Sequence, residues 1–309
     1  MSSPVLHIKD GYFFEVPKFL WRQHYQSVDD VPKFLRDAHP QTTVDEFNRE
    51  MSGKILIPQP FGTLKNLHDC QSGFCISKFM ILELVIVLLL VVVFKKYGEK
   101  IRDGQPPRGK LWNTVDAFLL YLRDHVARPA IGEHDADKFV PLLWTIFFFI
   151  LTCNLFGMLP WLGAPTGAFG ATFALACVIF LAGVYFGIKK FGPVGYWLNQ
   201  VPHMDLPLLL QPLKLMIFLI EIVGLLIKHA VLAVRLLANM VAGHLVLLGF
   251  LGIVVAAAEA SHGAWATAAI ASIVGSTLFS ILELFVAFLQ AYVFTFLSAL
   301  FIGAAVHHH

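Results

Sequence analysis

The hydrophobic residues of this 309-residue chain fall into long uninterrupted runs, not into the apolar stripes of helices that face water on one side. Phe139 to Ile188 comprises fifty residues without a single Asp, Glu, Lys or Arg. Because about 20 apolar residues cross a hydrocarbon layer ~30 Å thick, that run predicts two membrane helices, Phe139–Gly163 and Ala168–Ile188, divided at Pro160, Gly163 and Pro165. Phe79 to Phe94 predicts an earlier span, slightly short and interrupted by Glu83 alone. From Leu206 to about Ala260 only Pro207 and Pro212, at the start, break the pattern, and the piece after Pro212 is ~70 Å long at 1.5 Å per residue. Such a helix is either kinked into two spans or strongly tilted. After the small polar patch Glu259–Gly263, a second long run extends from Ala264 to Val306. The pattern predicts an all-α integral membrane protein with five membrane helices, the last two forming a long tilted hairpin.

Polar positions fill the rest. Residues 1–75 read as an extramembrane N-terminal segment with room for one short helix, residues 76–306 as the membrane-embedded domain, and His307-His308-His309 as a solvated tail. The first 30 residues offer no apolar core of the signal-peptide kind. Six basic residues follow the first span, Lys95, Lys96, Lys100, Arg102, Arg108 and Lys110, and Lys189-Lys190 follows the third. By the positive-inside rule both clusters are cytoplasmic, which puts the N-terminus outside and the C-terminus inside. Between them Leu111, Val115, Phe118, Leu119, Leu122 and Val126 recur at helical spacing. That is an amphipathic helix, lying on the cytoplasmic membrane surface or packed on a soluble partner.

Composition agrees with this division. The chain is 57% apolar and 14% charged, against roughly 45–50% and about 25% in soluble domains. A formal charge of +2, with no basic tract among aromatics, is too small to imply nucleic acid as a partner, and none is expected. Four cysteines make no disulfide scaffold. Cys70 and Cys75, however, lie on the outer side, where a disulfide persists, and Gly73 helps so short a loop to close; two free thiols are the alternative.

Ionisable groups within a span cost on the order of 2.5–3.5 kcal/mol on insertion scales, so each is a functional candidate with a partner to be found. Lys214, Glu221, Lys228 and Arg235 follow one another at intervals of seven and share one stripe of the first hairpin helix. The two lysines either snorkel or pair with Glu221. Arg235 has no acid three or four residues away, so its counter-charge must come from another helix or another protein. Asn239 and His244 follow in the same helix, and the second hairpin helix contributes Glu283 and Gln290. Antiparallel partners have residue numbers that add to a constant. Arg235 with Gln290 gives 525 and His244 with Glu283 gives 527, both centred on the His262-Gly263 turn. The hairpin should therefore set a guanidinium beside an amide at mid-depth, and an imidazole beside a carboxylate nearer the outer surface, a pair able to exchange protons near neutral pH.

These residues resemble the a subunit of F-type ATP synthases. Arg235-Leu236-Leu237-Ala238-Asn239-Met240-Val241-Ala242-Gly243-His244 follows that family's R-L-x-x-N-x-x-A-G-[HE] pattern, and Leu282-Glu283-Leu284 with Leu289 to Thr295, and Asn154 to Pro160, are similar to two further motifs. The resemblance covers about residues 76 to 306. It implies a proton-translocating stator subunit in a bacterial inner membrane, without a catalytic residue, cofactor or metal of its own. Its partners would be the c-subunit ring, the b-subunit stalk, the F1 head indirectly, and lipid. It also implies that Arg235 faces the ring carboxylate with Asn239 and Gln290 as neighbours, that His244 and Glu283 line the outer half-channel, and that Glu221 lies on the inner side. Gly167-Ala168-Phe169-Gly170-Ala171 departs from the Asn or Asp usual there, which affects the upper channel lining.

Two other readings compete. A secondary transporter binding a solute would show inverted repeats and broken helices at the midplane, whereas the two hairpin runs are unbroken and unlike. A metalloenzyme using His229, His244 and Glu283 lacks an H-E-x-x-H motif, and Arg235 would repel the metal.

Overall fold

A small mixed unit precedes the membrane helices. In this computed structural model, which describes residues 10–102, 104, 107, 109–159, 162–199, 211–260 and 262–306, the unit comprises β1 (Phe13–Glu15), α1 (Lys33–Ala38), α2 (Val44–Met51), β2 (Lys54–Leu56), β3 (Gly62–Leu64) and β4 (Cys70–Gly73). Strands β1 and β2 pair antiparallel with Phe13 opposite Leu56, and β3 pairs antiparallel with β4. Thr43 and Glu46 close a capping box at the start of α2, satisfying N–H groups that a helix start otherwise leaves free. Tyr25, Val31, Leu35, Phe47 and Met51 bury one another in a core of their own. Cys70 and Cys75 are joined by a disulfide, their Cα atoms 6.1 Å apart. The sequence pattern offers only one short helix here; two ribbons of three- and four-residue strands are too brief to leave a period-2 signature.

The rest of the described chain is helical, beginning with α3 (Lys78–Ile101) and continuing through α4 (Lys110–Tyr121), a π-turn at Leu122–Ala127, α5 (Arg128–Ile131), α6 (Glu133–Gly157), α7 (Phe169–Phe191), α8 (Pro193–Asn199), α9 (Gln211–Ala260) and α10 (His262–Val306). Ser77 caps α3 by accepting the Met80 N–H at 3.4 Å. Four helices are long and apolar enough to cross a membrane: Glu133–Gly157, Phe169–Phe191, Met216–Ala258 and Trp265–Val306. The fifth expected span, in α3, falls short because Lys78 and Lys95 bound its apolar run, leaving about 24 Å of helix at 1.5 Å per residue.

One core joins α6, α7, α9 and α10. Leu143, Ile146, Phe147 and Ile150 of α6 meet Ile179 of α7, Leu232 and Leu236 of α9, and Ala291, Phe294 and Ile302 of α10. Lys190, at the end of α7, pairs with Asp135, near the start of α6, at 2.9 Å, so the two helices run antiparallel. The hairpin helices are continuous over 50 and 45 residues, which removes the alternative of two spans separated by a break. A helix ~75 Å long can remain in a ~30 Å layer only when inclined far from the normal. Ser261 of the expected turn lies outside the described residues, as do Pro160, Leu206, Pro207 and the His307–His309 tail.

The stretch expected to form an amphipathic helix is helical as α4 and the π-turn, and its apolar side chains are partly covered by this chain itself. Leu119, Leu122 and Val126 are buried, Phe118 packs its ring on Phe147 and Phe288, and the Trp144 indole N–H donates to the Leu119 carbonyl at 2.9 Å. Leu111 and Leu120 remain exposed. Packing on α6 and α10, which spacing alone cannot reveal, claims the second half of the stripe.

Candidate functional site

Four polar side chains of the hairpin, Asn239 and His244 of α9 and Glu283 and Gln290 of α10, lie along the contact between the two helices. Small residues permit that approach: a Cβ on Gly243 would stand 2.4 Å from Glu283 Oε1, so only glycine lets the carboxylate lie against α9. Met240 and Ala287 pack beside it, with Ala164 from the turn between α6 and α7. That turn approaches because Gly157 also lacks a side chain, a Cβ there falling 2.5 Å from the Ala164 Cβ.

Asn239 and Gln290 meet directly, the Asn239 Nδ2 donating to Gln290 Oε1 at 2.8 Å. Gln290 is 1% exposed, and its Nε2 has no acceptor among the described residues. The hairpin thus gives Gln290 to Asn239, one turn past Arg235 in α9. The Arg235 guanidinium makes no hydrogen bond or ion pair with any described residue, and the residue is half-buried. Val231, Val234 and Ala238, one turn to either side and next to it, are exposed. Arg235 therefore stands on an open helix face that is apolar over the turn on either side of it.

About 13 Å further along α9 at 1.5 Å per residue, His244 and Glu283 line one cavity of ≈ 430 Å³ together with Met158, Leu247 and Leu248. Glu283 is 5% exposed, and its Oε1 has no hydrogen-bond partner among the described residues. A buried carboxyl oxygen without a partner is costly unless water or a transferred proton serves it. No direct His244–Glu283 hydrogen bond forms; the groups share the cavity instead. Glu221 lies away from this group. It pairs with Lys228 at 3.5 Å, both partly exposed, as one of the sequence alternatives had it. His229, a candidate in the metalloenzyme reading, is a core residue: its Nδ1 lies 2.9 Å from the Leu225 carbonyl and its ring packs on Phe180 and Phe301.

Asn154 is a structural member of the site that spacing did not single out. It is fully buried, donates from Nδ2 to the Ala287 carbonyl at 3.2 Å, and accepts from the Thr166 hydroxyl at 2.8 Å. One amide thereby ties α6, the following turn and α10 together one turn from Gln290. A lone Asn within a charge-free run was the available signal.

Compared with known proteins, residues 78–303 match the family described as ATP synthase A chain. The chain is 35% identical over 303 residues to ATP synthase subunit a of Anaeromyxobacter sp. (strain Fw109-5), covering 98% of this chain and 70% of that one. It is 37% identical over 249 residues to ATP synthase subunit a of Myxococcus xanthus (strain DK1622), covering 80% and 78%. With ATP synthase subunit a of Anaeromyxobacter dehalogenans (strain 2CP-1 / ATCC BAA-258) the identity is 43% over 205 residues, covering 66% of this chain and half the length of that relative. A family match over most of the chain, joined to a relative above 30% identity along nearly all of it, establishes that this multi-pass membrane protein belongs to the ATP synthase A chain family.

Proposed function

We propose that this chain is the stationary proton-conducting subunit of a rotary ATP synthase, with two offset half-channels kept apart by Arg235. It performs no hydrolysis itself; it exchanges protons with the carboxylates of a c-subunit ring while the b-subunit stalk holds it still against the F1 head. The α3 helix serves as the fifth span, with the N-terminus outside. The observation that carries the reading is the division of polar groups along the hairpin: His244 and Glu283 share a cavity, while Arg235, beyond the Asn239–Gln290 bond, stands on an open apolar face.

The chemistry follows from charge. A proton from outside reaches the His244–Glu283 cavity, whose two groups can accept and release it, and passes to a ring carboxylate. Once neutral, that carboxyl can turn into lipid, which its anion could not do without the cost of a buried charge. After nearly a full rotation it meets Arg235, whose fixed positive charge favours the ionised form and drives the proton out on the inner side, where Glu221 stands. The guanidinium also repels protons, so the half-channels are not short-circuited. Exposed Val231, Val234 and Ala238 offer the ring a smooth surface around that charge. A solute transporter would need a binding site among broken helices at mid-depth; α9 and α10 are continuous.

Cysteine cross-linking tests the orientation of that face. Val234→Cys or Ala238→Cys should form a disulfide with a cysteine placed next to the ring carboxylate, whereas Leu236→Cys, from a buried position, should not. Equal cross-linking at all three positions would contradict the assignment.

A further inference from the structure

The cavity that holds His244 and Glu283 is not lined by the hairpin and its neighbours alone: Glu15, from β1, and Lys78, the first residue of α3, also line it. Lys78 is 5% exposed, although lysines are almost never so buried without a partner. Its charge lies within electrostatic reach of Glu15 and Asp10. Asp10 is already engaged, its Oδ1 accepting the N–H groups of Gly11 at 2.9 Å and Phe79 at 3.2 Å. Those bonds, with the Lys78 N–H donating to the Gly11 carbonyl at 2.8 Å, fasten the N-terminal unit to the start of α3. They hold half-buried Glu15 against the cavity.

A buried ammonium beside a conducting path raises the energy of every cation that passes, and a carboxylate at the same place offsets that barrier. We propose that Glu15 and Lys78 form the mouth of the outer half-channel, with Glu15 compensating the Lys78 charge so that protons reach His244 and Glu283. The inference rests on the half-channel reading of those two residues. The family match begins at residue 78, so Glu15 belongs to the part of the chain that precedes it. The small folded unit at the N-terminus thereby holds one carboxylate over the channel mouth.

Proton conduction per assembled complex, measured in proteoliposomes at low salt, tests the proposal with four variants. Glu15→Gln should conduct about fivefold more slowly, the effect of losing one of the two carboxylate charges near Lys78 at a partly hydrated mouth, and the defect should shrink at high salt. Lys78→Gln should conduct at least as fast as the unaltered protein, and the double variant Glu15→Gln with Lys78→Gln should return near its rate. Unaltered conduction in Glu15→Gln, or a double variant as slow as the single one, would overturn the proposal. His244→Ala separates the mouth from the half-channel behind it. Lost conduction there beside normal Glu15→Gln rejects the mouth only, and normal conduction in His244→Ala rejects the half-channel reading itself. If Glu15→Gln assembles poorly, the double variant decides: assembly with recovered conduction supports charge compensation, and a second failure to assemble makes Glu15 a structural residue.

Discussion

Helices α6 and α9 are both long and apolar, yet they treat their polar side chains in opposite ways. Half of the apolar stretch of α6 is buried within the chain, against 11% for α9. Asn154 of α6 engages both ends of its amide, with Thr166 and with the Ala287 carbonyl, whereas Arg235 of α9 has no hydrogen-bonding partner among the described residues. A buried polar group that is fully bonded within its own chain specifies packing. A charged one on an open apolar face is left for something outside the chain. The contrast predicts that changes around Asn154 act on the amount of assembled protein, and changes along the α9–α10 polar column act on conduction.

Apart from the loss of Arg235, the largest effects should come from the cavity pair. His244→Ala or Glu283→Ala should lower ATP-driven proton pumping by about 100-fold, the scale of losing a positioned proton-transfer group, with the complex still assembled. The exchange of His244→Glu with Glu283→His should recover part of that loss, because the same two groups remain on one cavity. Additive losses in a double-mutant cycle would show that they act separately.

Asn154→Leu should reverse the pattern. It leaves the buried Thr166 hydroxyl without its acceptor and costs about 1–3 kcal/mol. Detergent-extracted complex should then melt earlier and accumulate less, while pumping per assembled complex stays near normal. Intact stability with lost pumping would erase the distinction between the two helices.

Glycines sharpen it further. Gly243→Ala forces the Glu283 carboxylate to move, and a shift smaller than the ~1 Å that can cost about 100-fold should slow pumping by about tenfold. Gly224→Ala, in the same helix with nothing within 4 Å of the new methyl, should leave pumping unchanged. The smallest effect belongs to Cys70 and Cys75. Both should resist alkylation until reductant is added, and Cys70→Ser with Cys75→Ser should leave pumping nearly normal. Labelling of both before reduction would refute the bridge.

The membrane part of this fold was legible because lipid imposes long apolar runs. The place of the hairpin turn, between Ala260 and His262, and the nearness of His244 to Glu283, which line one cavity, followed from residue numbers alone. What escaped was whatever depends on contact between distant segments. Spacing could pair Arg235 with Gln290, but the side chains choose Asn239, since an amide reaches an amide across one further turn of the crossing helices. The second half of the amphipathic stripe reads as a surface helix until Phe147 and Phe288 are seen to cover Phe118. Glu15 and Lys78, sixty-three residues apart in the chain, line one cavity, and no spacing along the sequence discloses that. The small core of the N-terminal unit rests on Leu35 of α1 and on Phe47 and Met51 of α2, with Tyr25 and Val31 before them, and helices of six and eight residues are too short to show a clear period.

The most direct test of the central claim is proton pumping by assembled complexes carrying Arg235→Ala. Normal assembly is expected, with coupled pumping and ATP synthesis abolished, because the guanidinium bonds no described residue of the hairpin and its proposed target is the ring. Arg235→Lys should fail nearly as completely, since a compact ammonium lacks the planar fork and loses its proton more readily when desolvated. Near-normal pumping in assembled Arg235→Ala complexes would contradict the assignment of Arg235 as the barrier between the half-channels.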